Sequence, residues 1–182
     1  QLHLILDVLL EVAVGRALRQ RGGGESDGQR ADTLARALAT VFELLPLNDK
    51  VIGFTSWSRS LRAFVYALAP FPRVSAEKIV ELLGGVGQPA LQHLATTATE
   101  NFAKLTNSNP VFLRVPGVVS SPIMKQALLE GDVHAREAID EYQSLDIALV
   151  GVGPAESSAH INEQSNFFSA EQFKLARKAG AV

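Results

Sequence analysis

Residues 51–68 read VIGFTSWSRSLRAFVYAL and contain a complete strand–loop–helix unit. The first five, Val51 to Thr55, form a short aliphatic run that is typical of a buried strand. The apolar residues that follow the polar loop recur at the spacing of one helical face: Leu61, Phe64, Val65 and Leu68. This unit therefore predicts a strand that passes through a serine-rich loop directly into a helix.

The same alternation continues on both sides of this unit. Short aliphatic runs predict five strands, at Val8 to Val14, Val51 to Thr55, Ile79 to Leu83, Val111 to Val115 and Ile147 to Val152. Helical periodicity separates the strands and also fills the end of the chain, from Ser169 to Ala179. This alternation predicts the α/β class, with a parallel sheet that carries helices on both faces.

Composition excludes several classes of protein. The 182 residues fit one domain, and 47% of them are apolar, which is enough for a core without metals or disulfides. The formal net charge of −2 argues against a surface that grips nucleic acid by itself. No apolar run approaches the roughly 20 residues of a membrane helix, so no membrane partner is expected. The absence of cysteine excludes thiol catalysis and zinc ribbons and fits a cytoplasmic location.

Ligands of open α/β sheets bind beyond the carboxyl ends of the strands, so the loops at that edge are the candidate sites. The serine loop, residues 56–60, leads straight into a helix, where hydroxyls, N–H groups and the helix dipole favour an anion. Arg59 could add a bidentate phosphate contact. The alternative is a simple serine N-cap beside an arginine that faces solvent.

Glycines mark two further loops at the same edge. The glycine loop, residues 84–88, could let backbone approach a ligand, or it could be only a tight turn from strand to helix. It lacks the spacing of the dinucleotide fingerprint. Gly151 and Gly153 follow the last strand and carry a weaker signal.

Catalytic and metal-binding constellations are not found in the sequence. The four histidines lie too far apart along the chain for two of them to share a helix face, so no metal site is predicted. His93 could face the cleft or be a surface residue. No G-x-S-x-G elbow and no acid–base pair emerge, so no catalytic residue is assigned.

Five segments stand in an order that is seen in one protein family: Ile52–Leu61, Gly84–Gly87, Val115–Leu129, Asp146–Gly153 and Leu175–Val182. Through them the chain resembles the effector-binding domain of SorC/DeoR-type sugar-binding transcriptional regulators, which include the central glycolytic gene regulator. The resemblance implies a Rossmann-like fold related to sugar-phosphate isomerases and glucosamine-phosphate deaminases. It implies one domain over residues 1–182, which in the family continues beyond Val182.

The resemblance also implies a function. A phosphorylated sugar or polyol would bind without catalysis and without a cofactor, and its binding would change a homodimer or tetramer. DNA would be bound through an N-terminal helix-turn-helix domain that these 182 residues do not include. Leu83 stands where the glycolytic regulator has arginine, which argues against a bisphosphate ligand.

Residue by residue, the resemblance assigns the phosphate to Ser58, Arg59 and Ser60. Backbone at the glycine loop would meet the sugar, other loops would form walls, and Glu156 would accept sugar hydroxyls. The full predicted ligand-binding set is Ser56, Ser58, Arg59, Ser60, Gly84, Gly85, Gly87, Gln88, His93, Gly117, Gly153 and Glu156. Two alternatives stay open: an isomerase- or deaminase-like enzyme on the same fold, which rests on analogy alone, and a plain oligomerisation module with an empty cleft.

Overall fold

The computed structural model describes residues 27–71, 75–85, 89–151 and 170–180. The described elements are, in chain order, α1 (Asp27–Phe42), β1 (Val51–Phe54), α2 (Arg59–Ala67), β2 (Lys78–Glu81), α3 (Pro89–Leu105), β3 (Asn109–Val111), α4 (Pro122–Gly131), α5 (Val133–Asp140), a 3₁₀ turn (Glu141–Ser144), β4 (Ile147–Leu149) and α6 (Ala170–Lys178). The strand predicted at Val8 to Val14 lies outside the described residues. Within the described part, no helix has both the length and the apolarity to span a bilayer.

The four described strands form one parallel sheet in the order β3-β2-β1-β4. In register, Ile52 of β1 pairs with Ile79 of β2 on one side and with Ile147 of β4 on the other. The connections β1–α2–β2 and β2–α3–β3 each place the next strand farther toward the same edge of the sheet. The connection from β3 through α4 and α5 instead crosses back over the sheet to β4, on the other side of β1. Because such crossovers are right-handed, these two groups of helices cover opposite faces. The predicted α/β class with a parallel sheet is confirmed.

The face under α1, α2 and α3 is packed with phenylalanine. Phe42, Phe54, Phe64 and Phe102 are fully buried in one cluster. The ring centroids of Phe42 and Phe64 lie 5.3 Å apart, as do those of Phe54 and Phe102, in edge contacts. Each such pair adds about 0.5–1.5 kcal/mol beyond the burial of its area. These rings therefore fix the first three helices firmly against β1.

The opposite face carries smaller apolar side chains, and hydrogen bonds and an ion pair tie the 3₁₀ turn to it. Val51 and Val80 alternate with the cluster residues along their strands and are also buried. The Tyr142 hydroxyl donates to the Glu81 carbonyl oxygen at 3.0 Å, and Lys78 Nζ donates to Glu141 Oε1 at 2.8 Å. The 3₁₀ turn is thus tied to β2, and α5 leads into it.

Several predicted boundaries differ from the structure. The strand predicted at Ile79 to Leu83 is observed at Lys78–Glu81, and the one predicted to begin at Ile147 ends at Leu149. The fourth predicted strand, Val111 to Val115, is observed at Asn109–Val111 because the Leu113 N–H donates to the Glu81 carboxylate (3.1 Å) instead of to a strand. The helix α5 ends at Asp140 and tightens there into the 3₁₀ turn. Ser121 caps α4, and Gly180, with a φ of +101°, follows α6 in the left-handed conformation that commonly ends a helix.

Candidate functional site

The candidate site lies where β1 and β4 end side by side. From β1 the chain leaves toward β2, whereas β4 is reached by the connection that returns over the other face. Such a reversal of strand order opens a crevice beyond the carboxyl ends of the two strands. The serine loop follows β1 and Gly151 follows β4 at this point.

Ser58 shapes the serine loop and begins α2. Its Oγ accepts from the Leu61 N–H at 3.3 Å, and its extended backbone (ψ 123°) is that of an N-cap. The Ser58 N–H donates to the Thr55 carbonyl oxygen at 3.1 Å and closes a turn. The first turn of α2 therefore opens directly above the end of β1.

The two basic residues of α2 differ in their surroundings. Arg59 is exposed, and no hydrogen bond of its side chain is found among the described residues. Arg62 is half-buried, and its Nη1 donates to the carbonyl oxygens of Trp57 at 2.8 Å and Ser56 at 3.3 Å. Burial lowers the pKa of Arg62 from its ordinary value, but a guanidinium remains protonated in proteins.

The sequence pattern points to Arg59, whereas the structure places Arg62 on the loop. The available signal is the spacing, because a residue four positions after the N-cap lies on the same helix face as the cap. Ser60, in the first turn, is partly exposed. Within the described residues, the N–H groups of Trp57, Arg59 and Ser60 have no acceptor. These donors and Arg59 are what an anion at this helix terminus would meet.

Gly151 brings the end of β4 onto the serine loop. Its N–H donates to Thr55 Oγ1 at 3.0 Å, and the Thr55 N–H donates to the Leu149 carbonyl oxygen at 3.0 Å. A Cβ atom on Gly151 would lie 2.7 Å from Ser58 Oγ. The predicted set contains Gly153 instead, and both Gly153 and Glu156 lie outside the described residues.

Two buried polar side chains lie beneath the loops. Ser56 is 1% exposed, and its hydroxyl makes no full hydrogen bond within the described residues, although it lies close enough to the Glu81 carboxyl to lower the pKa of that group slightly. Glu81, also buried, accepts from Thr99 Oγ1 at 3.0 Å and from the Leu113 N–H. Burial raises the pKa of Glu81, while these two donors act in the opposite direction. The signal for Glu81 was a carboxylate inside the apolar run from Ile79 to Leu83.

The glycine loop meets another backbone segment. The Gly85 N–H donates to the Val115 carbonyl oxygen at 2.7 Å, and the Gly117 N–H donates to the Gly85 carbonyl oxygen at 2.8 Å. A Cβ atom on Gly84 would lie 2.1 Å from the Val115 oxygen, so no larger residue fits there. A tight structural turn accounts for Gly84, Gly85 and Gly117. Their contact with a sugar stays a prediction, and Gly87 and Gln88 lie outside the described residues.

The structure sorts the predicted residues into two groups and leaves one residue apart. Ser56, Ser58, Arg59 and Ser60 lie in one loop and helix start, where Ser58 lies against Gly151. The three described glycines of the second group lie together at the ends of β2 and β3. His93 is exposed on α3, and its neighbour Gln92 is the side chain that reaches Gly85. Among the described residues, no three His, Asp or Glu side chains are placed to share a metal ion.

Comparison with known proteins identifies the family. Residues 21–182 match the family model described as "Putative sugar-binding domain". A structure entitled "Putative sugar-binding domain of transcriptional regulator DeoR", from Pseudomonas syringae pv. tomato, is 28% identical with a TM-score of 0.56 over 85% of this chain and 65% of that chain. No curated protein matches the sequence significantly.

Two less identical structures share the fold with higher TM-scores. The full-length sorbitol operon regulator SorC from Klebsiella pneumoniae is 21% identical, with a TM-score of 0.71 over 86% of this chain and 51% of that chain. A transcriptional regulator from Streptococcus pneumoniae is 18% identical, with a TM-score of 0.70 over 87% of this chain and 59% of that chain. The chain thus spans about half to two thirds of the chains that it matches.

Proposed function

The chain belongs to the sugar-binding domain family of SorC/DeoR-type transcriptional regulators, and from this premise we propose that it binds a phosphorylated sugar or polyol beyond the ends of β1 and β4. It binds this ligand without converting it and needs no cofactor. The protein acts in the cytoplasm as the sensing part of a regulator whose DNA-binding domain lies outside these 182 residues.

One observation carries the choice of a phosphorylated ligand. The first turn of α2 presents the N–H groups of Arg59 and Ser60, which lack acceptors within the described residues, together with the Arg59 guanidinium. Peptide dipoles and N–H groups at a helix N-terminus stabilise negative charge, and arginine adds charge-assisted hydrogen bonds. A neutral sugar would leave this charge uncompensated, whereas a phosphate matches it.

Regulation follows from differential affinity. If the ligand binds one oligomeric state more tightly than another, it shifts the population toward that state by no more than the difference in binding free energy. The homodimer or tetramer favoured by the sugar phosphate then has a changed affinity for DNA.

A thermal-shift panel tests the proposal. The panel contains glucose 6-phosphate, fructose 6-phosphate and sorbitol 6-phosphate, their unphosphorylated forms, and inorganic phosphate. A ligand present at about 100 times its Kd adds roughly 2.7 kcal/mol, which raises the Tm of a domain of this size by several degrees. We expect only phosphorylated members to do so and to change the sedimentation of the oligomer. Equal stabilisation by the unphosphorylated forms would contradict the phosphate site.

A further inference from the structure

We infer that Arg62 is a positioning residue of the ligand site, which holds the carbonyl oxygens of Ser56 and Trp57 away from the ligand and leaves the Trp57 N–H available to it. The inference rests on the proposed function, since that function places the anionic group of the ligand at this loop. It assigns Arg62 a role distinct from Arg59, which would contact the ligand directly.

The hydrogen bonds of Arg62 determine the direction of two peptide groups. Its Nη1 donates hydrogen bonds to the carbonyl oxygens of Ser56 and Trp57, at 3.3 and 2.8 Å. In a planar trans peptide the N–H of the next residue points opposite to the carbonyl, and no cis peptide is found in the described residues. The N–H groups of Trp57 and Ser58 therefore point away from Arg62.

Those two N–H groups have different uses. The Ser58 N–H closes the turn on the Thr55 carbonyl oxygen. The Trp57 N–H has no acceptor within the described part of the chain, so it remains available to a ligand beside the start of α2. If either carbonyl were released from Arg62, its peptide could rotate and present an oxygen to the anion, which would repel it.

The loop is also fixed on its following residue. Gly151 allows β4 to lie directly against Ser58, where a Cβ atom would already lie within 2.7 Å. Three consecutive loop residues are thus held, the first two by Arg62 and the third by the end of β4. The half-buried guanidinium satisfies carbonyl oxygens that would otherwise lack a partner, which a lysine, as a point donor, can do less completely.

The single tryptophan of the chain makes this loop observable. Trp57 is the only tryptophan among the 182 residues, so fluorescence excited selectively at tryptophan, and not at the two tyrosines, reports on the loop. The experiment compares the wild-type chain with Arg62→Ala, Arg62→Lys and the matched control Arg136→Ala, whose arginine is exposed on α5. Acrylamide quenching and titration with the sugar-phosphate panel are measured well below the Tm of each variant.

We expect Arg62→Ala to increase the quenching of Trp57 and to weaken binding of the best panel member at least about tenfold, the loss expected for one hydrogen bond to a charged group. Arg62→Lys should lie between Arg62→Ala and the wild type, and Arg136→Ala should match the wild type. A purely structural role would lower the Tm but leave the Kd of the folded protein unchanged.

The outcomes separate the two proposals. If the wild type binds a sugar phosphate and Arg62→Ala binds it equally well, the positioning role is wrong and the proposed function stands. If no panel member binds the wild type, the proposed function fails, and the positioning role fails with it. Unchanged quenching in Arg62→Ala would overturn the claim that Arg62 holds the loop, with or without a ligand.

Discussion

Gly151 and Ser58 lie so close together that a Cβ atom on Gly151 would stand 2.7 Å from both the Cβ and the Oγ of Ser58. Ser58 caps α2, and Gly151 lies two residues after the end of β4 at Leu149. This contact links the segments that follow β1 and β4, the two strands beside the crevice. The start of α2, which would bind an anion, therefore packs against the segment that follows β4.

Alanine at position 151 should therefore disturb the helix cap. We expect Gly151→Ala to lower the free energy of unfolding by about 1–3 kcal/mol, the usual cost of overpacking, and to weaken sugar-phosphate binding. Gly131→Ala is the matched control, since nothing lies within 4 Å of a Cβ there and the residue ends α4. It should be neutral or stabilising by up to about 1 kcal/mol. Similar urea midpoints for the two variants would contradict the contact.

The glycine loop offers a second comparison between neighbours. A Cβ atom on Gly84 meets the Val115 carbonyl oxygen at 2.1 Å, whereas one on Gly85 meets the flexible end of Gln92 at 2.8 Å. We expect Gly84→Ala to cost about 1–3 kcal/mol or more, because backbone must move. Gly85→Ala should cost less than about 1 kcal/mol. Urea unfolding of both variants measures the difference, and equal costs would mean that the two segments do not meet as described.

Replacing Ser56 by alanine should have opposite effects on the stability of the fold and on ligand binding. Its buried hydroxyl makes no full hydrogen bond in the described residues, and its interaction with the Glu81 carboxyl is the smallest of those that act on that carboxyl's pKa. A buried hydroxyl without a full hydrogen bond destabilises the fold. Ser56→Ala should raise the free energy of unfolding of the ligand-free protein by about 1 kcal/mol. If the hydroxyl serves the ligand, as the resemblance implies, the same variant should weaken sugar-phosphate binding in a calorimetric titration. A loss of stability with unchanged affinity would exclude this role for Ser56.

Glu81 predicts a pH dependence of stability. Burial raises its pKa above the ordinary value of 4.5, so in the folded state the carboxyl keeps its proton where the unfolded chain has released it. Its favourable contribution is present below that value and is lost as the pH rises through the folded pKa. Glu81→Gln does not titrate, so its stability relative to the wild type should improve from about pH 5 to about pH 8. Urea unfolding at both pH values checks this, and a constant difference would contradict the raised pKa.

The sheet could be predicted because its strands are local patterns. Val51 to Phe54 is an aliphatic run that ends at a polar loop, and the structure begins and ends β1 within one residue of the prediction. β3 shows the limit of this reasoning. Its position depends on pairing with β2 and on the Glu81 carboxylate, which accepts a hydrogen bond from the Leu113 N–H. That contact spans 32 residues of sequence, and no local pattern contains it.

In the candidate site, too, local features could be predicted from the sequence, whereas contacts between distant segments could not. The serine loop and its cap could be read from Ser58, because an N-cap is a local feature. The partners of Arg59 and Arg62 could be read only in part. The spacing places Arg62 on the same helix face as Ser58, but the carbonyl oxygens that it binds are defined only by the folded loop. The juxtaposition of Ser58 with Gly151 likewise depends on sheet order, which places β4 beside β1.

The most direct test of the central claim is an amide chemical-shift titration of the isotope-labelled chain with glucose 6-phosphate, fructose 6-phosphate and sorbitol 6-phosphate. The account predicts that the binding member shifts the N–H resonances of Trp57, Arg59, Ser60 and Gly151 most strongly, and that Arg59→Ala/Ser60→Ala abolishes these shifts. Binding that leaves these four amides unperturbed, or that survives unchanged in the double variant, would contradict an anion site at the start of α2.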